Sequence, residues 1–197
     1  MPHQFAQLSP LYYYDHFNEM IDFVLHAHSN ILNEEEKAFI DDFRNLGLQS
    51  QCLYIRMYNR TKSIFHLSDL LYDEIGICDA VEELIQHGYL RSITDNDYES
   101  LLSSFTRPKL IELSKIHKLS AIKSSWKKSA VVKYVREHLS FQGITSSLPD
   151  LHYYIPMRAD EISRFKAWWK PRFDKDICHI DDQYDPNQTY VVIDVET

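Results

Sequence analysis

The stretch Gln51–Thr94, QCLYIRMYNRTKSIFHLSDLLYDEIGICDAVEELIQHGYLRSIT, reads as helix, short strand, helix, helix, strand, and this order restricts the fold more than any other feature. Leu53, Ile55, Met57 and Tyr58 interleave with polar residues, a pattern open to helix or strand. The Arg56/Arg60 pair at i,i+4 favours a helix with a basic face. Ser63, Ile64 and Phe65 are β-prone. Ser68 is expected to cap a helix over Asp69–Glu74, and Asp79 the next one, with Glu82 at capping-box spacing. Val81, Leu84 and Ile85 line one face of that helix, and Gly88 supplies its left-handed stop. Tyr89–Ile93 leaves as a strand expected to pair with Ser63–Phe65. Two helices and a Gly-Tyr-Leu strand outline a winged helix, a fold that commonly lays its third helix on a duplex. Here that helix carries Asp79, Glu82 and Glu83, the wrong sign for phosphate. DNA contact is therefore expected through the basic edge of Arg56, Arg60 and Lys62 or through the wing. Pairing of these three cations with nearby acids is the competing reading.

The same residues resemble a family. LYIRMYNR, LLYDEI and VEELIQHGYL, in that order, are similar to the N-terminal region of the Fanconi-associated nuclease family. YYYDHFNEMIDFVL and NEEEKAFIDDF upstream, and LLSSFTRPKLIELSKIHKL downstream, fit it too, the last resembling a SAP segment. The resemblance covers roughly residues 11 to 139 and rests on separated motifs in register. It implies a DNA-binding region in front of a nuclease. The SAP resemblance implies a helix, a basic loop and a helix that set lysines against phosphates, with Thr106, Arg107, Lys109, Lys123, Lys127 and Lys128 as contacts. That pattern has a glycine before its paired lysines where this chain has Trp126, so the loop is expected to turn differently.

The charge distribution supports a nucleic-acid partner independently. The net charge of -8 conceals an island: residues 106–139 carry nine basic and two acidic side chains, against six and seventeen in residues 1–105. A localised positive field is a stronger nucleic-acid signal than uniform basicity, although a solvated lysine-rich face is the plainer alternative. Four glycines and abundant aromatics argue for an ordered, mainly helical chain. No apolar run approaches the ~20 residues a membrane span requires. The N-terminus lacks the basic and apolar regions of a signal peptide, so a cytoplasmic protein without membrane contact is expected, nucleoid-associated if bacterial. Three scattered cysteines give no disulfide framework, and Cys52 and Cys78 are expected to be buried.

Leu11–His28 is expected as a helix with Phe17, Met20, Ile21, Val24 and Leu25 inward. Tyr12, Tyr13 and Tyr14 at its start either pack or stack on bases. Asn33 caps a second helix, whose Glu34, Glu35 and Glu36 complement the dipole, and Gly47 ends it. Thr106 and Pro108 open a helix with Leu110, Leu113 and Ile116 buried, and a second follows over Ala130–Leu139 with Val131, Val135 and Leu139 inward. Ser140–Leu148 is the most linker-like stretch. Ala159–Lys170 is amphipathic, with Pro171 expected to end it, and Trp168 and Trp169 either pack or stack on nucleic acid. Cys178, His179, Asp181 and Asp182 match no standard metal spacing.

Tyr190–Thr197, YVVIDVET, is β-branched and apolar like a buried strand, which puts Asp194 and Glu196 on one face. Two such carboxylates suit a divalent ion with oxygen ligands. The run resembles the first motif of the DEDD (proofreading-type) 3'-5' exonuclease superfamily. That implies Asp194 and Glu196 as ligands of Mg2+ or Mn2+ in a complete domain. The Fanconi-associated nucleases carry a different type of catalytic domain. The chain is accordingly expected to be the N-terminal portion of a longer 3'-5' exonuclease.

The expected class is mainly α: a winged-helix-like domain with a SAP-like helix–loop–helix, minor β and an extended C-terminal segment. The expected divisions are residues 1–100, 101–142, 143–189 and 190–197. The leading function is a DNA-binding module of a repair-type nuclease that binds without cutting by itself. The alternatives are a module that docks a DNA-repair partner without touching DNA, and an enzyme using the acids of residues 178–196.

Overall fold

Asn33 starts the second helix with a cap closed from both sides. Its side chain accepts the Glu36 N–H at 2.8 Å, and the Glu36 carboxylate accepts the Asn33 N–H at 2.8 Å, a full capping box. The computed structural model describes residues 10–72, 75–119 and 121–177, with side chains through 169. Two compact units result: the described residues of one lie within 10–61, 70–90 and 156–177, those of the other within 62–69 and 91–155.

The first unit contains α1 (Tyr12–His28), α2 (Glu34–Asn45), α3 (Leu48–Tyr58), α4 (Ile77–Gln86) and α9 (Ala159–Ile177). α3 is its axis: Cys52, Leu53, Tyr54, Ile55 and Met57 are all buried, so this helix is apolar around most of its circumference. Aromatic side chains fill the space around it. Phe17 meets Phe43 at 5.0 Å, Phe39 meets Phe165 at 5.8 Å, and Tyr54 meets Tyr89 edge-on at 5.0 Å. Removing one such ring costs about 3–5 kcal/mol. The two buried phenols keep acceptors, Tyr54 on Met157 O and Tyr89 on Phe39 O at 3.2 Å, and burial raises both pKa values. Trp169 meets Phe23 at 5.2 Å and Trp168 meets His28 at 5.3 Å, so both half-buried rings pack against α1.

The second unit contains α5 (Tyr98–Ser104), α6 (Arg107–Ile116), α7 (Lys128–His138) and α8 (Phe141–Thr145). Leu101, Leu102, Leu110, Leu113, Val131, Val135 and Ile144 form its solvent-free centre. Beside them lies a sheet of β1 (Phe65–His66), β2 (Leu90–Ser92) and β3 (Tyr153–Pro156) in the order β1-β3-β2. β3 pairs antiparallel with β1, Phe65 opposite Tyr154, and bonds β2 through Ile93 N–H to Tyr153 O at 3.3 Å. The element order is winged-helix-like, with residues 93–152 filling the excursion between the last two strands.

Several expectations are corrected. Ser63–Phe65 does not pair with Tyr89–Ile93, because β3 lies between them and supplies both with backbone partners. Residues 67–70 form one 3₁₀ turn and 71–72 are not helical where the Asp69–Glu74 helix is expected; Asp73 and Glu74 lie outside the described residues. The Ser68 N–H is taken by His66 Nδ1 at 3.2 Å. Gly76, not Asp79, is the N-cap of α4, and Asp79 falls inside its first turn. Ile85 and Ile116 are 40% and 53% exposed, since each sits just past the edge of its helix's buried stripe. Gly47 begins α3 with φ -59 rather than ending α2 in the left-handed region. The linker-like Ser140–Leu148 contains α8, and Ile144 and Leu148 anchor it in the second core. α9 continues past Pro171, which removes one helical donor without stopping the helix. Cys52 is buried but Cys78 is exposed, as α4 turns it away from the core. Gly88 does adopt φ 73, the left-handed stop its position demands.

Candidate nucleic-acid interface

The basic island becomes a helix–loop–helix in the second unit. α6 begins where Thr106 Oγ1 accepts the Lys109 N–H at 3.4 Å, with Pro108 in the first turn. It ends at Lys118, whose φ of 57 lets the Leu119 N–H reach back to Ser114 O at 2.8 Å. The loop that follows is held from α6. Arg107 donates from Nε to Trp126 O at 3.1 Å and from an η nitrogen to Ser124 O at 2.8 Å. A guanidinium bridging two loop carbonyls fixes the turn without a glycine, and Trp126 packs edge-on against Tyr134 at 5.5 Å.

This arrangement sorts the sequence-derived contacts. Lys123 and Lys127 are exposed on this loop. Lys127 is the N-cap of α7 and offers no acceptor, so no side chain caps that helix. The helix dipole adds its positive end to the lysines there. Lys128 Nζ donates to Ser103 O at 2.6 Å, which fixes the ammonium while leaving other donors. Lys109 reaches Glu112 at 3.3 Å. Arg107 shapes the loop and Thr106 starts α6.

The other basic cluster divides between the units. In the first, Arg56 lies between two rings, 4.3 Å from the Tyr13 centroid and 4.4 Å from that of Tyr72, and Arg60 is 5.4 Å from Tyr72. Lys62, in the second, pairs with Asp69 at 3.2 Å. All three are engaged intramolecularly. One of the α4 acids is likewise engaged within the fold. The Glu83 carboxylate accepts the Gly47 N–H at 3.0 Å and the Ser50 hydroxyl, capping α3 from a neighbouring helix. These bonds lower its pKa, the Ser50 hydroxyl contributing most. A Cβ on Gly47 would lie 3.0 Å from that carboxylate, so glycine permits the approach.

A Ser68–His66–Asp150 line in the second unit has contacts of 2.7 Å on each side of the imidazole. Its Nδ1 faces the Ser68 N–H and hydroxyl and its Nε2 faces Asp150, so both ring nitrogens are engaged within the fold. The line fastens β1 to the segment entering β3, and the His66 bond lowers the Asp150 pKa. Among the described residues, no three potential metal ligands gather. Asp194 and Glu196, with Cys178, His179, Asp181 and Asp182, lie outside the described residues. Three groups escaped the sequence reading: Glu99, Lys133 and Arg136, which line a groove between α5 and α7. Lys133 and Arg136 were present only as charge counted within the island, and Glu99 lies outside it.

Comparison with known proteins gives the following. Residues 11–91 match the family described as "FAN1, HTH domain". The chain is 30% identical over 126 residues to the Fanconi-associated nuclease 1 homolog of Oryza sativa subsp. japonica, covering 64% of this chain and 13% of that protein. It is 35% identical over 80 residues to the Arabidopsis thaliana homolog, 40% of this chain and 9% of the relative. With the Pseudomonas aeruginosa homolog it shares 28% over 109 residues, 55% of this chain and 20% of the relative. The crystal structure of paFAN1 bound to 2nt 5'flap DNA with gap shares the fold at TM-score 0.70 and 22% identity, covering 82% of this chain and 30% of that one. The chain thus resembles the N-terminal region of Fanconi-associated nucleases and spans 9% to 20% of the length of these three relatives.

Proposed function

We propose that this chain is the DNA-binding front end of a repair-type nuclease and grips backbone phosphates with the α6–α7 loop in the manner of a SAP module. The observation that carries this is the loop itself: Lys123 and Lys127 are exposed on a turn that Arg107 pins at Trp126 O and Ser124 O. A rigid loop loses little entropy when it meets a phosphate, so its charges act at full value. The structural relative that shares the fold is described as bound to flap DNA, which supports duplex or branched DNA as the partner. Phosphate contact carries no sequence information, so recognition is of backbone and shape.

The nuclease belongs to the complete protein. Asp194 and Glu196 are donors of the right hardness for Mg2+ or Mn2+, and two carboxylates are too few for a six-oxygen shell. A 3'-5' exonuclease that completes the shell with further acids is the finer reading. Its ion would supply a water nucleophile and charge neutralisation. Binding and cutting are separate activities here, and the 197-residue chain is expected to bind DNA and not cut it.

Fluorescence anisotropy with a labelled duplex, from low to moderate salt, tests the reading. Each lost phosphate contact flattens the log–log salt slope by about 0.9. Lys123→Ala with Lys127→Ala should weaken binding about tenfold at low salt and flatten the slope by about 1.8. Unchanged affinity and slope would refute it, and would favour a module that docks a repair partner.

A further inference from the structure

The α6–α7 loop does not end the basic surface of the second unit. Beside it, an open groove of about 490 Å³ runs between α5 and α7. α5 contributes Glu99 and Ser103, and α7 contributes Lys128, Ser129, Val132, Lys133 and Arg136. Lys128, Val132 and Arg136 repeat at i, i+4 and i+8, so they form one row along the helix. Ser129 and Lys133 form the adjacent row. From Lys128 to Arg136 the row extends ~12 Å, at ~1.5 Å per residue. Three cations thus face one carboxylate along a row long enough to follow one strand's backbone past more than one phosphate.

The contacts within the groove show how these charges are held. Lys128 Nζ lies across its mouth on Ser103 O at 2.6 Å. Arg136 donates from one η nitrogen to Glu99, which leaves further donors on a planar group suited to phosphate. Lys133 is 70% exposed and only 4.0 Å from Glu137, the loosest of these pairs. The Arg136–Glu99 pair is itself exposed, so it is worth little in water and opens easily.

We propose that the α5–α7 groove is a second phosphate track, continuous through Lys128 with the α6–α7 loop, that takes the backbone of the same DNA, and that Glu99 holds Arg136 in place until phosphate displaces it. The proposal rests on the DNA-binding reading and extends it to Lys133 and Arg136. Glu99 is then a placeholder. It keeps the guanidinium ordered in the free protein and competes with the ligand for it.

Two variants of the 197-residue chain with opposite expected signs test this, with the same labelled duplex. Lys133→Ala with Arg136→Ala should raise the Kd about five- to tenfold and flatten the salt slope by about 1.8. Glu99→Gln, which removes the competing charge but keeps a hydrogen-bonding side chain, should lower the Kd about two- to threefold at low salt. Circular dichroism melts confirm folding, and the Glu99 variant reads out even if the double variant melts early. An unchanged Kd in both, with Lys123→Ala/Lys127→Ala still weak, would overturn the groove and leave the loop reading intact. Weaker binding by Glu99→Gln would overturn the placeholder role. If the loop variant also binds like wild type, the parent reading itself fails.

Discussion

Replacing Glu83 with alanine tests how the two helices α3 and α4 are joined. The carboxylate caps α3 in trans, so its loss leaves the Gly47 N–H without its acceptor, a cost of about 1 kcal/mol for an N-cap. Ser50, 1% exposed, also loses its short bond and is left with Ala80 O at 3.4 Å, about another 1 kcal/mol. The sum, about 2 kcal/mol, corresponds to a melting temperature lower by about 4–8 °C for a chain of this size. Glu83→Gln keeps an oxygen acceptor and should lose about half as much. The charge dependence has a definite sign. Because the folded pKa of Glu83 is lowered, its contribution is present above the unfolded value of about 4.3 and is lost as pH falls through the folded value. The gap between wild type and Glu83→Ala should therefore narrow in acid below about pH 4. Thermal melts at neutral and acidic pH read this directly. Ser50→Ala combined with Glu83→Ala should be less destabilising than the sum of the single changes. A Glu83→Ala melt within about 1 °C of wild type, or strict additivity with Ser50→Ala, would refute the capping argument.

Arg107→Ala should free the loop, losing two charge-assisted bonds worth about 1.5–3 kcal/mol each at most. Hydrogen exchange at residues 123–126 should rise and DNA affinity fall several-fold, while Arg107→Lys restores charge without restoring exchange protection. Asp97 accepts two Arg91 bonds at 2.7 and 2.8 Å and the Thr94 N–H at 2.8 Å, and Arg91 holds its pKa well below the usual carboxylate range. That contribution is present above about pH 3.9 and is lost as pH falls through the lower folded value, so Asp97→Asn should lower the melting temperature at pH 7 and have a fading effect in strong acid.

What the sequence could reveal follows from how local each signal is. The Asn33 cap, the Thr106 cap with Pro108 and the Gly88 stop involve neighbours in the chain, and all three form as read, Asn33 as half of a capping box with Glu36. β3 inserts between β1 and β2 from more than sixty residues downstream of either strand's start, a pairing with no local signature. Helix starts failed where a tertiary group took over. Asp79 matched a capping box in spacing, yet α4 starts at Gly76, whose N–H donates to Gln49 Oε1 on another helix at 3.1 Å. Ser140–Leu148 looked like a linker because two apolar anchors, Ile144 and Leu148, hide among polar residues. The basic island was legible as charge. The division of its cations into Arg107 that shapes the loop, Lys128 that is tethered and Lys123 that is exposed needed the geometry.

The central claim is that the second unit's basic surface, not the acidic helices of the first, meets DNA. Amide chemical-shift mapping of the 197-residue chain during titration with a short duplex, at physiological salt, tests it most directly. The largest shifts are expected at residues 106–109, 123–129 and 133–136, with α2 and α4 unmoved. Saturating binding whose shifts fall on α2 or α4 and spare residues 123–136 would contradict it.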